Sequence, residues 1–298
     1  MSQVLITGGT GFIGRNLIPL LQAKGYKVTV LTRSADKYKA YPVLKEVRLV
    51  ESLQDVNDID VVVNLAGANL AAKRWSDSYK ETIVNSRLNT TENLLEWIKQ
   101  QEHKPHTLIN GSAIGFYGAR GNEELDESST SGNGSEFQVR LCTRWEDAAY
   151  RAENLGLRVC CIRTGVVLGH EGALQQMLPP FKFGLGGKLG SGNQYFSWIH
   201  ISDHVRAVMY LIKHSELQGA FNLTAPEPVT NYGLTKTLGK VLGRPTFATV
   251  PEFALKLLVG ELAKMLLTGQ RVYPKKLMES GFTFEYPTLN EALQDLLN

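Results

Sequence analysis

Residues 7–14 read TGGTGFIG, and their glycines satisfy two spacings at once, Gly9-x-Gly11-x-x-Gly14 and Gly8-x-x-Gly11-x-x-Gly14. Glycines so spaced have a defined task when they follow a strand and open a helix. They allow a tight turn, let backbone amides approach a pyrophosphate, and let the helix pack closely on its sheet. The positive end of the helix then faces the phosphates. An ordinary glycine-rich turn is the competing reading. The loop's place between an apolar β-branched run and an amphipathic segment favours a dinucleotide site made by Gly8, Thr10, Gly11, Phe12, Ile13 and Gly14. About 20 residues on, an NAD site holds the ribose 2′-hydroxyl with an acid. Here the second apolar run ends in Leu31-Thr32-Arg33-Ser34, and the first carboxylate is Asp36. An arginine in that place suits a 2′-phosphate, so Arg33 and Ser34 point to NADP(H); a solvated arginine at a strand end is the alternative.

The elements that must hold this loop follow from hydrophobic periodicity. Strands are expected at 3–7, 27–32, 47–51, 60–65, 107–112 and 158–163, with helices near 12–24, 77–100 and 136–155. In the first helix Ile13, Leu17, Leu20 and Leu21 share a face, Gly25 supplies the stop, and Pro19 predicts a kink. Strands this continuously apolar are buried on both faces, which specifies a parallel sheet covered by helices. After residue 165 the pattern loosens. Residues 179–198, rich in proline and glycine, read as loop; a helix near 203–214, a strand at 220–223, a helix from Pro251 to 267 and a short helix near 288–297 follow.

Composition narrows the classes. The 298 residues suggest two domains, or one with an appendage. Hydrophobic residues at 43% and charged residues at 20% exclude a wholly disordered or coiled-coil chain. The 32 basic and 29 acidic residues leave a net charge of +3, interspersed rather than clustered, so no nucleic-acid partner is expected. Three cysteines without metal spacing and six unclustered histidines offer neither a disulfide framework nor a metal site. The most apolar stretch, 253–267, is interrupted by Lys256, Glu261 and Lys264, so no membrane span is expected. The first residues reach glycine before a secretory apolar region forms, which makes a reducing, cytoplasmic setting the expectation.

Further segments carry a family likeness. Asn64-Leu65-Ala66-Gly67, residues 112–118 (SAIGFYG), residues 163–169 (RTGVVLG) and residues 190–203 (GSGNQYFSWIHISD), with the glycine loop, resemble the extended short-chain dehydrogenase/reductase (SDR) superfamily. Lys73-Arg74-Trp75, Asn85-Ser86-Arg87, residues 141–146 (LCTRWE) and residues 269–274 (GQRVYP) are similar to one subgroup. It is the atypical extended SDRs of the nucleotide-sugar epimerase type, which carry a small C-terminal domain. The likeness spans essentially the whole chain. It implies that Leu65, Ala66 and Gly67 lie beside adenine and ribose, and that Arg163 and Gly165 approach the nicotinamide. It also implies that Lys73, Arg74, Trp75, Asn85, Arg87, Tyr117 and Trp198 belong to the substrate side.

The chain departs from that superfamily where the proton is moved. SDR enzymes use a Tyr-x-x-x-Lys pair on the helix after a serine, with both side chains on one face. Thirty residues after Ser112 this chain has Cys142, and four further on Glu146. A carboxylate beside a thiol raises the thiol pKa, so Cys142 is a poor anion unless a cation compensates, and a buried free cysteine is otherwise a small core hydrophobe. Ser112 keeps the capacity to hydrogen-bond a substrate oxygen, which makes Ser112, Cys142 and Glu146 the catalytic candidates. Where nucleotide-sugar relatives place a phosphate-pairing arginine, this chain has Phe196. A ring does not replace a guanidinium fork. Lys73, Arg74 and Trp75 either hold an anionic substrate or cap a helix; Asn85 and Arg87 either support the site or form a solvated face. Asp203 is expected to cap the helix that follows it.

The expected fold is α/β: a Rossmann-type doubly wound parallel sheet from residues 1–165, completed by later segments, with a smaller α/β substrate side from 166–249. A small C-terminal domain, 250–298, should dock there with Leu258, Leu262, Met265 and Leu266 inward. Two functions are expected from different classes. One is an NADP(H)-dependent SDR, epimerase or oxidoreductase, acting on a small carbonyl or hydroxyl compound as monomer or homodimer. The other is a cofactor-binding regulator or interaction protein without catalysis. Retention of Ser112 and a cleft-facing Lys73-Arg74-Trp75 favour the first, and the Cys142/Glu146 replacement the second.

Overall fold

Residues 2–298 are described by a computed structural model. At its centre are seven parallel strands: β1 (Gln3–Thr7), β2 (Lys27–Leu31), β3 (Arg48–Val50), β4 (Val61–Asn64), β5 (Thr107–Ala113), β6 (Arg158–Thr164) and β7 (Gly219–Leu223). They lie in the order β3-β2-β1-β4-β5-β6-β7, so the chain reverses direction across the sheet between β1 and β4. Such a reversal opens a crevice at the carboxyl ends of the strands, where ligands bind in folds of this class.

Both faces of the sheet are apolar because each strand contributes alternate residues to each. Val4, Ile6, Val30, Val63, Ile162 and Phe221 join a core with α1 (Phe12–Ala23) and α4 (Ile201–Lys213). Leu5, Val62, Leu108, Val159 and Cys161 join the opposite core with α2 (Asp77–Gln100) and α3 (Phe137–Tyr150). The six strands of the first half lie where their hydrophobic runs place them. Helix α1 runs through Pro19, whose ring sits on its exposed side.

The second half departs from expectation in several places. Residues 179–198 are not a plain loop: a helix spans Ala173–Lys182 through Pro179 and Pro180, held by Phe181 in the core. Three short strands follow, Gly187–Leu189, Tyr195–Phe196 and Trp198–His200, each paired with a distant segment. Asp203 does not cap α4. That position belongs to His200, whose Nδ1 accepts the Ser202 amide at 3.1 Å. Asp203, fully buried, instead accepts the amides of Glu285 and Tyr286 at 2.8 and 2.9 Å and so ties down the tail.

Helix α5 (Asn231–Leu242) precedes the tail, whose expected single helix is broken into α6 (Glu252–Val259) and α7 (Leu262–Thr268). The break falls at Gly260, whose φ of 63° is costly for any other residue. It re-aims the apolar positions. Leu262 and Met265 pack on Trp75 and Leu141, whereas Leu258 and Leu266, expected inward, are 69% and 41% exposed. Further along, Leu277 and Phe282 join the first core, and α8 (Leu289–Leu297) lays Leu289, Leu293 and Leu296 on Leu234, Leu238 and Trp198 to form a third core. The tail is therefore fastened to the body at several separate places. No helix is long and apolar enough to cross a membrane among the described residues.

Candidate functional site

The glycine loop leaves β1 and enters α1 as its spacing requires. Gly8 has φ +71°, and a Cβ there would stand 2.6 Å from the Leu65 carbonyl oxygen. A Cβ on Gly14 would stand 2.5 Å from Gly9 Cα, so that glycine sets the close approach of helix and loop. Gly11 meets only the Gly8 carbonyl at 3.2 Å and is exposed, which leaves its outer side open. Helix α1 has neither a side-chain cap nor an acid in its first turn. Its orphan amides and positive end thus suit a diphosphate. Arg33 and Ser34 are exposed at the end of β2, within the same rim. These features fit a phosphorylated dinucleotide.

Beneath the switch point, buried polar side chains fix the strand ends. Thr7 Oγ1 donates to Asn64 Oδ1 at 2.5 Å, and Asn64 Nδ2 donates to Asn110 Oδ1 and Thr91 Oγ1 at 2.6 and 3.0 Å. Trp145 Nε1 donates to Thr91 Oγ1 at 3.1 Å. Above them lies a cavity of about 180 Å³, walled by Ile13, Leu65, Leu70, Trp75, Phe137, Leu141, Trp145 and Met265. The polar groups in its wall are few: Ser112, Cys142, Gln138, Thr164 and Arg87. Burial, reinforced by the Glu146 charge, pushes the Cys142 thiol up to about 12, so it is neutral at physiological pH.

Glu146 is buried but is not part of that wall. Ser112 Oγ donates to its Oε1 at 2.5 Å, while Arg163 Nε and Nη2 donate to Oε1 and Oε2, both at 2.8 Å. Arg163 Nη1 reaches the Tyr117 hydroxyl at 3.0 Å, which donates to Asn222 Oδ1 at 2.7 Å. Burial alone would lower the Arg163 pKa, but the hydrogen bonds and charge of Glu146 hold it above its ordinary range. Burial pushes Tyr117 up to about 12.

These placements give the expected site residues their surroundings. Arg163, in register with Ser112 on the neighbouring strand, places its guanidinium on Glu146 and is not part of the cavity wall. At Gly165 a Cβ would stand 2.8 Å from the Ser197 carbonyl oxygen, so packing within the protein already requires glycine there. Tyr117 and Trp198 are fully buried in the polar cluster and the third core respectively. Asn85 and Lys73 are exposed outside the cavity, and Arg74 donates to the Leu257 carbonyl at 2.9 Å, clamping the tail. Ser112, Cys142, Arg87 and Trp75 do converge on one cavity. The sequence reading missed Gln138, Leu141 and Trp145, although these share one face of α3 with Cys142 at helical spacing. Met265, expected inward on the substrate side, also enters this wall. No group of three or more potential metal ligands occurs among the described residues.

The sequence matches the NAD dependent epimerase/dehydratase family over residues 4–224 and a domain of unknown function, DUF1731, over residues 250–296. An epimerase family protein of Staphylococcus haemolyticus is 42% identical over 301 residues, with all of both chains covered. Another, YfhF of Bacillus subtilis, is 37% identical, covering 99% of this chain and 98% of its own. The crystal structure of the human epimerase family protein SDR39U1 with NADPH is 35% identical. It superposes with a TM-score of 0.90, covering 99% of this chain and 98% of that one.

Proposed function

Because the chain belongs to the NAD dependent epimerase/dehydratase family, we propose that it binds NADP(H) and acts on a small, largely apolar carbonyl or hydroxyl compound without a Tyr-x-x-x-Lys relay. The observation that carries this reading is the cavity: its wall is mostly apolar and holds Ser112 at the carboxyl end of β5, beside the switch point. Its volume of about 180 Å³, beside the roughly 150 Å³ that holds a benzene ring, suits a ring-sized group. NADPH in the human relative supports the same cofactor here.

When bound, the dinucleotide supplies the hydride donor or acceptor. The chain supplies orientation. Gly8, Gly11 and the amides at the start of α1 hold the diphosphate, and Arg33 holds the 2′-phosphate. Ser112 donates its one hydrogen bond to Glu146, so its oxygen is left to accept a hydrogen bond from a substrate hydroxyl and fix that oxygen. Glu146, with both oxygens engaged by Arg163, acts through Ser112 as a positioning residue and does not itself take the substrate proton. Proton exchange is left to solvent, which removes the roughly 10²–10⁴-fold that a poised acid–base group contributes.

One observation favours a second reading. The cavity wall carries no side chain that changes charge near neutral pH, since Cys142 is neutral and Arg87 stays cationic. A protein that binds NADP(H) and a small ligand without turning either over has the same wall. One experiment separates the two: NADPH binding is measured first, then oxidation of NADPH and reduction of NADP⁺ across a panel of small aryl and alkyl carbonyls and alcohols. Slow turnover abolished by Ser112→Ala supports the enzyme. Tight NADPH binding without turnover supports the regulator, and absence of NADPH binding refutes both.

A further inference from the structure

We propose that the cavity recognises a small, flat, apolar molecule bearing one carboxylate, and that Arg87 binds the carboxylate. This rests on the reading above that the cavity is the substrate site. Arg87 is the one charged side chain in the wall. Its guanidinium is held but not neutralised. Nη1 donates to the carbonyls of Ala68 and Ile83 at 3.3 and 3.1 Å, and Nη2 to Ala68 at 3.3 Å. The group lies 5.2 Å from the Trp145 ring centroid. Its ionisable neighbours of consequence are Cys142 and Tyr79, neither a carboxylate. Guanidinium has five N–H donors, so these bonds leave at least two unspent.

Gly67 is part of the arrangement. A Cβ there would stand 2.8 Å from the guanidinium carbon, so the glycine makes room for the fork at the cavity edge. A cation taken from water into an apolar wall without a counter-ion is costly, and the usual remedy is a carboxylate or phosphate on a bidentate fork. A single guanidinium among aromatic rings matches the single charge of a carboxylate on a ring-sized body. Trp75, Phe137 and Trp145 offer the faces for that body.

The test uses full-length protein saturated with NADPH and a pair of probes differing only in charge, phenylglyoxylate and its neutral amide, titrated by calorimetry. A charged hydrogen bond predicts that the acid binds roughly tenfold to a hundredfold more tightly than the amide. Arg87→Leu should erase the difference while NADPH affinity stays within about twofold, and Arg87→Lys should keep part of it. Arg87→Gln, which retains a donor toward Ala68, covers the case in which the leucine variant does not fold, and it too should lose the preference. Equal affinity for acid and amide, or no binding of the acid, overturns the proposal. So does a tenfold or greater loss of NADPH affinity in Arg87→Gln, which would assign the guanidinium to the cofactor phosphates. Failure of NADPH to bind the wild-type protein would instead remove the reading beneath it.

Discussion

Arg163 grips Glu146 from the strand beside Ser112, Nε to Oε1 and Nη2 to Oε2, each at 2.8 Å. The two side chains are 7% and 4% exposed, so neither charge has water to fall back on. Removing one partner from such a pair typically costs about 3–5 kcal/mol, whereas replacing both by apolar groups is often neutral. Glu146→Gln should therefore lower unfolding stability by that order in urea titration, and Glu146→Leu with Arg163→Met should recover most of it. A Glu146→Gln variant as stable as wild type would show that the pair contributes little to holding the fold.

Arg33 tests the cofactor reading. If it meets the 2′-phosphate, NADPH should bind roughly tenfold to a hundredfold more tightly than NADH, and Arg33→Ala should remove most of that preference. Fluorescence titration with both cofactors measures it directly. Equal affinities in wild-type protein would contradict the assignment.

The tail should prove indispensable to the fold. Truncation after residue 249 removes α8 from Trp198, Leu234 and Leu238, and leaves the Asp203 carboxylate without two of its donors. Aggregation or a marked fall in melting temperature is expected. A milder change, Asp203→Asn, should loosen residues 285–286, visible as faster amide exchange there. A truncated protein that stays monodisperse with an unchanged melting temperature would show that the tail is an appendage.

Acid sensitivity should carry the mark of His204. Burial lowers its pKa to about 3, with Thr164 Oγ1 3.1 Å from its Nε2. The folded state therefore leaves it neutral while the unfolded chain protonates it near 6.5. Between those values the unfolded state binds the extra proton, so stability rises with pH; it is complete above about 6.5 and is lost as pH falls toward 3. That one group predicts a slope of about 1.4 kcal/mol per pH unit within the window. His204→Gln should flatten the slope of unfolding free energy between pH 4 and 6 by about that amount. An unchanged slope would show that His204 is not the titrating group.

The first half of the chain was legible because its strands are continuous apolar runs whose burial on both faces fixes their pairing. Residues 179–198 were not. Their strands are two or three residues long, and each pairs with a remote segment, as Gly187–Leu189 does with Ala248–Val250. The helix through Pro179 and Pro180 survives because Leu174 and Phe181 are seated in the core, a tertiary effect that local propensity opposes. Within the site, the motifs marked the right strand ends but not which side chains face the cavity. Arg163 and Thr164 are adjacent, yet the first is held on Glu146 and only the second lies in the cavity wall. Helical spacing placed Met265 inward but gave no sign of the bend at Gly260 between α6 and α7, or of the exposure of Leu258 and Leu266.

The order in which the chain is made gives the third core a further consequence. The central sheet is complete in sequence once Leu223 has been synthesised, yet Trp198, Leu234 and Leu238 wait for Leu289, Leu293 and Leu296 to cover them. During translation a finished dinucleotide fold thus emerges from the ribosome with one apolar flank bare. A nascent chain in that state is a substrate for holdase chaperones and prone to association with its neighbours on the same message. Substitutions that weaken α8 should therefore reduce the yield of folded protein in cells more than they reduce the stability of the molecules that do fold.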